Sequence, residues 1–112
     1  MRYYGESLLI KVKNFVSPLY KDMNLLTKKM KLIDELTKDE NVDKTHIKVA
    51  ALIDEVLEGH EKEIKYFLRS IGYNEDEIED LMETIENARK NPLTREEEIL
   101  SAVKRKIREI NP

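Results

Sequence analysis

Two histidines are the first residues whose chemistry must be weighed. His46 and His60 are the only histidines of the chain, and both fall in a stretch that reads as one long helix. A helical metal site needs ligands four residues apart or a Glu-x-x-His pair. The positions where a second ligand beside His60 would be needed hold Ile64 and Leu57, and Ala50 lies four residues after His46. We therefore interpret both histidines as half-buried polar residues at a helix interface and expect no metal ligation.

A second constellation consists of carboxylates on two successive helices. The sequence DEVLE, residues 54–58, is followed by EIED, residues 77–80. This pattern resembles the Glu-Glu-x-x-Glu and Glu-x-x-Asp signature of the all-α nucleotide pyrophosphatases of the MazG type. The resemblance covers about 27 residues and begins with Asp54 where that family has Glu. It implies Mg²⁺ ions that hold the phosphates of a nucleotide; the ligands would be Glu55, Glu58, Glu77 and Asp80.

Helix phase favours another interpretation of these carboxylates. At about 100° per residue, Glu55 is predicted almost opposite the apolar side of its helix, and Asp80 about 140° from the centre of the next apolar stripe. Ligands held between two packed helices should flank the apolar stripe. We therefore expect a charged outer face here, and neither enzymatic activity nor a cofactor. The chain also has no Gly-rich phosphate loop and no nucleophile elbow.

Basic side chains form a further candidate surface. Ten of them are predicted to lie outside the apolar positions of the first and last helices: Lys11, Lys13, Lys21, Lys28, Lys29, Lys31, Lys104, Arg105, Lys106 and Arg108. Such a stripe could contact a phosphate backbone, so a nucleic-acid-associated accessory protein is one alternative function. The sequence pI of about 5.5 and the lack of an aromatic-rich stacking surface favour ion pairs between helices instead.

Composition narrows the class of protein. The 112 residues include no cysteine, which excludes disulfides and thiolate chemistry. The net charge of −3 is unevenly spread, with +5 over residues 1–33, −11 over residues 34–100 and +3 over residues 101–112. Abundant Glu and Lys resemble the composition of thermophile proteins. No apolar run approaches the roughly 18 residues of a membrane span, and no leader pattern is present, so we expect a soluble cytoplasmic protein.

The elements that position these residues are predicted to be helices. Glycine and proline are sparse, and apolar residues recur at helical spacing, so we predict an all-α protein. The first helical segment, Glu6–Lys38, carries a heptad seam that keeps its phase across Pro18. We favour a kink at this proline; the alternative is a new helix with Ser17 as N-cap. The seam residues are Leu9, Val12, Val16, Leu19, Met23, Leu26, Met30 and Ile33.

The second long helix is predicted from Lys44 to Ile71. Its seam is also unshifted on both sides of Gly59, which predicts a helix that runs through the glycine, with close approach by a neighbouring helix as the reason for it. Four end signals mark the remaining boundaries: Asp43 as N-cap, Gly72 at C′, a capping box of Asn74 with Glu77, and another of Thr94 with Glu97. The third helix then ends near Lys90, and the last occupies the C-terminal residues.

These lengths predict an antiparallel bundle of four helices, or five if the first breaks at Pro18, in a single domain of residues 1–112. The two long helices would span about 48 and 42 Å and the two short ones about 25 Å each. The short helices would cover only about half of the long pair. A second copy could cover the remaining seam. The sequence therefore predicts a non-enzymatic interaction or assembly module that forms a homodimer.

Overall fold

All regular structure is helical in residues 5–110, the part of the chain that the computed structural model describes, with side chains from residue 7 onward. Six helices follow one another: α1 (Gly5–Tyr20), α2 (Met23–Thr37), α3 (Lys44–Val56), α4 (Glu61–Ser70), α5 (Glu75–Lys90) and α6 (Arg95–Arg108). The all-α prediction is confirmed. The predicted count of four or five helices is wrong, because each of the two long predicted helices is divided in two. The antiparallel arrangement stays a prediction.

The first division lies three residues after Pro18. This proline belongs to the last turn of α1, and Lys21 follows with a φ of 77°. The Lys21 N–H donates to the Ser17 carbonyl at 3.1 Å, so a left-handed residue ends the helix, a position that glycine usually occupies. Both expectations for this region, a kink at Pro18 and a helix capped by Ser17, are wrong.

A new N-cap then starts α2. The Asp22 side chain accepts a hydrogen bond from the Leu25 N–H at 3.0 Å, which satisfies one of the donors left open at a helix start. Val12, Val16, Leu26 and Ile33 of the predicted seam are buried, but Met23, which begins α2, is 47% exposed, so the seam is not continuous across the division. Because the buried seam residues pack into the core of one chain, the described residues give no support to the long uncovered seam that suggested a dimer.

The second division lies at Gly59, which has a φ of +86°. Around it, the His60 N–H donates to the Leu57 carbonyl at 3.1 Å, and α4 starts from the His60 carbonyl. The predicted helix through Gly59 is wrong. So is its predicted reason, because a Cβ added at this glycine would have no atom within 4 Å. The residue is needed for its backbone conformation, which costs an L side chain about 1–2 kcal/mol.

The four predicted end signals are confirmed. The Asp43 side chain caps α3, both capping boxes are complete, and Gly72 has a φ of 107°. The Tyr73 N–H donates to the Leu68 carbonyl and the Gly72 N–H to the Arg69 carbonyl, which is the Schellman pattern. Each of these devices lies within a few residues of sequence, and for this reason each was predictable.

The fold is built around α3, which packs against α1, α2, α5 and α6. Its buried residues are Ile47, Val49, Ala50, Ala51, Leu52, Ile53 and Val56. Because residues 49–53 are consecutive, α3 is buried around nearly its whole circumference, as expected for a helix in the centre of a core. Buried apolar side chains from all six helices form one cluster, and the Cα radius of gyration is 13.0 Å, close to the ~13 Å of a 100-residue domain.

Two further expectations bear on the whole chain. The single domain of residues 1–112 stays a prediction, since residues 1–4 and 111–112 lie outside the described part. Among the described helices, none has the length and apolar composition that a bilayer crossing requires. The longest have 16 residues, or about 24 Å at 1.5 Å per residue.

We expect Gly59→Ala to lower the free energy of unfolding by about 1 kcal/mol, because alanine disfavours a positive φ. Asn tolerates this conformation better, so Gly59→Asn should lose less than half as much. Urea denaturation followed by circular dichroism measures both values. Equal losses for the two variants would mean that the backbone conformation does not explain the glycine.

Candidate functional site

Five ionisable side chains from four helices meet beside α3, and we call them the inner ion cluster: Lys29, Asp54, Glu55, Arg89 and Lys104. The Lys104 Nζ lies 2.9 Å from Asp54 Oδ2 and also contacts a Glu55 oxygen. The Lys29 Nζ lies 2.6 Å from the other Glu55 oxygen, and Arg89 Nε donates to Asp54 Oδ1 at 2.7 Å. The cluster thereby joins α2, α3, α5 and α6.

The burial of the cluster is unusual for charged groups. The side chain of Lys104 is 9% exposed and that of Glu55 12%, whereas Arg89 at the edge is 48% exposed. Lys104 also donates to the Ala51 carbonyl at 3.4 Å, and the Lys29 ammonium lies 5.0 Å from the centre of the Tyr20 ring. Every buried charge of the inner ion cluster thus has a partner of opposite sign, as low-dielectric surroundings require.

The pKa values of two members reflect this pairing. Burial raises the pKa of the Glu55 carboxyl, but the ammonium groups of Lys104 and Lys29 outweigh burial and hold it below its usual range. Burial lowers the pKa of Lys29, and its hydrogen bonds to Glu55 and Tyr20 outweigh this, so its pKa is raised. A carboxylate held ionised by two cations is a poor general base, and a lysine held as ammonium is a poor nucleophile. The geometry suits a structural role, in which ion pairs hold the four helices together.

The structure does not bring together the four carboxylates of the pyrophosphatase resemblance. Glu55 belongs to the inner ion cluster, so the expectation that it faces solvent is wrong. Glu58 is exposed in the turn after α3, Glu77 accepts from the Asn74 N–H at 2.9 Å, and Asp80 is exposed on α5. Within residues 5–110, no group of three His, Asp or Glu side chains is arranged to hold a metal ion.

His46 links α3 to α5. It is half-buried, and its Nε2 lies 2.9 Å from the Thr84 hydroxyl. That hydroxyl donates to the Asp80 carbonyl at 2.9 Å, so its oxygen is left to accept from the imidazole. The Asp80 carboxylate approaches the same ring nitrogen, at 3.7 Å. A catalytic relay needs the carboxylate on the opposite ring nitrogen, so this arrangement is an interhelical hydrogen bond.

His60 occupies the N-cap position of α4 without capping it. Its Nδ1 lies 3.0 Å from Glu63 Oε1, and 35% of its side chain is exposed. The predicted placement of His60 on a continuous apolar ridge is wrong, because the chain turns at Gly59. The two histidines therefore share neither a helix nor an environment.

The ten predicted basic residues do not share one surface. Lys104 is buried and Lys29 half-buried in the inner ion cluster, so their assignment to a solvent face is wrong. The cause is that α2 and α6 both pack on α3, which offers two carboxylates at its C-terminal end. Lys13 is half-buried, and the members that are exposed are Lys11, Lys21, Lys28, Lys31, Arg105, Lys106 and Arg108.

The outer side of α6 forms a groove with the end of α2, and we call it the α6 groove. It encloses about 460 Å³. Its apolar floor consists of Ile99 and Val103, which are buried, with Ala102 and Leu36 exposed beside them. Charged side chains surround this floor: Glu40, Arg95, Glu98, Arg105, Lys106 and Glu109. Three of them are acidic and three are basic, so the groove is close to neutral.

Aromatic residues form a second exposed feature, between α1 and α4. The Phe15 and Phe67 rings are stacked with centroids 4.2 Å apart and planes 7° apart. Tyr66 beside them is 75% exposed, and an open recess follows this edge of the fold. The stacked pair attaches α4 to α1, which gives the rings a structural role.

Comparison with known proteins adds no assignment: no protein-family model, curated protein or solved structure matches this chain. Any function must therefore be argued from the contacts described above.

Lys104→Met should lower the free energy of unfolding by about 3 kcal/mol, because it leaves the Asp54 and Glu55 carboxylates buried together without their shared cation. The matched control is Arg105→Met, an exposed neighbour, for which we expect a change within about 0.5 kcal/mol. Chemical denaturation of both variants at pH 7 gives the comparison. Similar losses at the two positions would show that the cluster contributes little.

The depressed pKa of Glu55 also predicts sensitivity to acid. Its folded pKa lies below the ordinary 4.5, so its contribution to stability is complete above that pH and is lost as the pH falls through the folded pKa. Glu55→Gln should be less stable than the parent protein at pH 7, and its stability should fall less steeply below pH 4.5. The exposed Glu83→Gln is the matched control for loss of one carboxylate outside the cluster, and its stability at pH 7 should change by no more than about 0.5 kcal/mol. An unchanged slope in Glu55→Gln would contradict the assignment.

Proposed function

We propose that the chain is a non-enzymatic assembly module that associates with a second copy of itself through the α6 groove. The observation that carries this proposal is the composition of the groove. Ile99 and Val103 form its buried apolar floor, Leu36 and Ala102 are exposed beside them, and three acidic and three basic side chains surround this apolar strip. A two-fold interface brings one patch against itself, so a charged patch is self-complementary only if it carries both signs of charge.

Other classes of partner would require a different charge balance. A phosphate backbone favours a surface of one positive sign, and a strongly basic or acidic protein favours the opposite single sign. The exposed Leu36 and Ala102 add an apolar contact that ion pairs alone do not provide, since exposed ion pairs contribute only about 0–1 kcal/mol each. A second copy of the same groove meets both requirements.

The inner ion cluster supports the non-enzymatic part of the proposal. Its lysines and carboxylates have the residue types of an active site, but they are tied to one another in ion pairs, and Glu55 and Lys29 are held charged by their neighbours. The nucleotide pyrophosphatase alternative receives no support from the separated carboxylates. The nucleic-acid alternative is weakened because Lys29 and Lys104 point inward. A cytoplasmic location, where such a protein would act without disulfides, is part of the same proposal.

Self-association should appear as a mass that depends on concentration. We expect sedimentation equilibrium to give 13.2 kDa at low concentration and a value that rises towards twice that mass by about 1 mM, the range in which a weak dimer forms. Tyr66→Ser, which changes the aromatic edge between α1 and α4, should leave the curve unchanged. A single mass of 13.2 kDa up to 1 mM would rule out the proposed self-assembly.

A further inference from the structure

We infer that two copies associate through antiparallel α6 helices whose two-fold axis passes at Ala102, an inference that rests on the proposed self-assembly. In such a pair, a residue before Ala102 faces the partner residue that lies equally far after it. Four exposed charged residues form a stripe along α6 and its C-terminal end, and under this symmetry each meets an opposite charge of the partner: Arg95, Glu98, Lys106 and Glu109.

The charge pattern is symmetric in position and opposite in sign. Glu98 and Lys106 each lie four residues from Ala102, and Arg95 and Glu109 each lie seven residues away. All four are exposed. Antiparallel pairing places Glu98 opposite the partner's Lys106 and Arg95 opposite the partner's Glu109. The two-fold axis repeats each pair, so the interface contains four attractive contacts.

The residues nearest the axis allow the helices to approach. Ala102 is exposed and carries only a methyl group, so it permits an interaxial distance near the lower end of the ~8–10 Å range. Ile99 and Arg105 each lie three residues from the axis. The aliphatic stem of Arg105 can therefore lie over the small exposed part of the partner's Ile99 while its guanidinium stays in water. Leu36 extends this apolar strip from α2.

Pairing with a second copy competes with contacts at the surface of one chain, of which the shortest is the hydrogen bond that Arg95 donates to Glu40 at 2.7 Å. Arg95 lies 4.0 Å from Glu98, and Lys106 lies 3.9 Å from Glu109. These four side chains are 60–70% exposed. Such pairs contribute little, and their exchange for equivalent contacts across the axis is nearly neutral. Ile99 and Val103 are already buried within one chain, so the net gain comes from covering the exposed Leu36 and Ala102. This small apolar area predicts a weak dimer of less than standard interface area.

The alternative parallel arrangement is disfavoured by the same charges. It would place Glu98 against the partner's Glu98 and Lys106 against the partner's Lys106. Like charges opposite one another oppose association. The sequence of α6 therefore favours one direction of pairing as well as one partner.

Charge reversal tests this geometry. Glu98→Lys should raise the dimer Kd about tenfold, because two attractive pairs become repulsive, and Lys106→Glu should do the same. The double variant Glu98→Lys/Lys106→Glu should restore the parent Kd. An equimolar mixture of the two single variants should also restore it, since the heterodimer again pairs opposite charges. The matched control, Glu83→Lys on α5, should leave the Kd unchanged.

The outcomes separate this inference from the proposed function. A dimer whose Kd is insensitive to Glu98→Lys and to Lys106→Glu overturns the α6 geometry but leaves self-assembly standing. A parent protein that is monomeric at every concentration removes both. Circular dichroism of each variant checks that the exposed substitutions leave the helices intact.

A crosslink gives an independent measurement. The chain has no cysteine, so Ala102→Cys introduces the only thiol, and at the two-fold axis it meets its own copy. A disulfide needs Cβ atoms about 3.5–4.5 Å apart. Mild oxidation should therefore give a covalent dimer on a non-reducing gel for Ala102→Cys and much less for the control Glu83→Cys. Equal crosslinking of the two would overturn the position of the axis.

Discussion

The contact of the Lys104 ammonium with two neighbouring carboxylates of α3 determines how the outer helices lie on the central one. Asp54 and Glu55 can both reach Lys104 only if α6 presents that lysine towards the C-terminal end of α3. Lys29 then approaches the free side of Glu55 from α2. Because a buried charge without a partner is costly, these three helices can neither rotate nor slide independently.

The inner ion cluster selects one register of the helices, which the apolar core alone does not. The residues of α3 from 49 to 53 are apolar on all sides, and side chains of this kind can pack in several registers with similar burial. A buried ion network adds little net stability compared with a well-packed apolar core. Its value here is to select one register, since a shift of one turn would separate Lys104 from Asp54 and Glu55.

Local chemistry explains which features of the fold could be predicted. The all-α class and the capping residues Asp43, Asn74 and Thr94 depend on neighbours within a few positions. The divisions at Lys21 and Gly59 depend on positive φ values, and the apolar spacing happens to stay in phase across both. For the first division, the sequence offered one local signal, the N-cap residue Asp22. The burial of Glu55 could not be derived from the apolar pattern of its own helix, because it depends on lysines contributed by α2 and α6.

The rotational position of α6 about its own axis determines which of its residues face α3 and which face solvent. At about 100° per residue, Ala102 and Lys106 both lie roughly 160° around the helix axis from Lys104. Arg95, Glu98 and Glu109 lie within about 60° of the direction opposite Lys104. The ion pairs that hold Lys104 against α3 therefore turn the symmetric stripe towards solvent. Two lysines only two residues apart, Lys104 and Lys106, thus differ completely in role. Composition alone cannot make this distinction, which requires the position of α3.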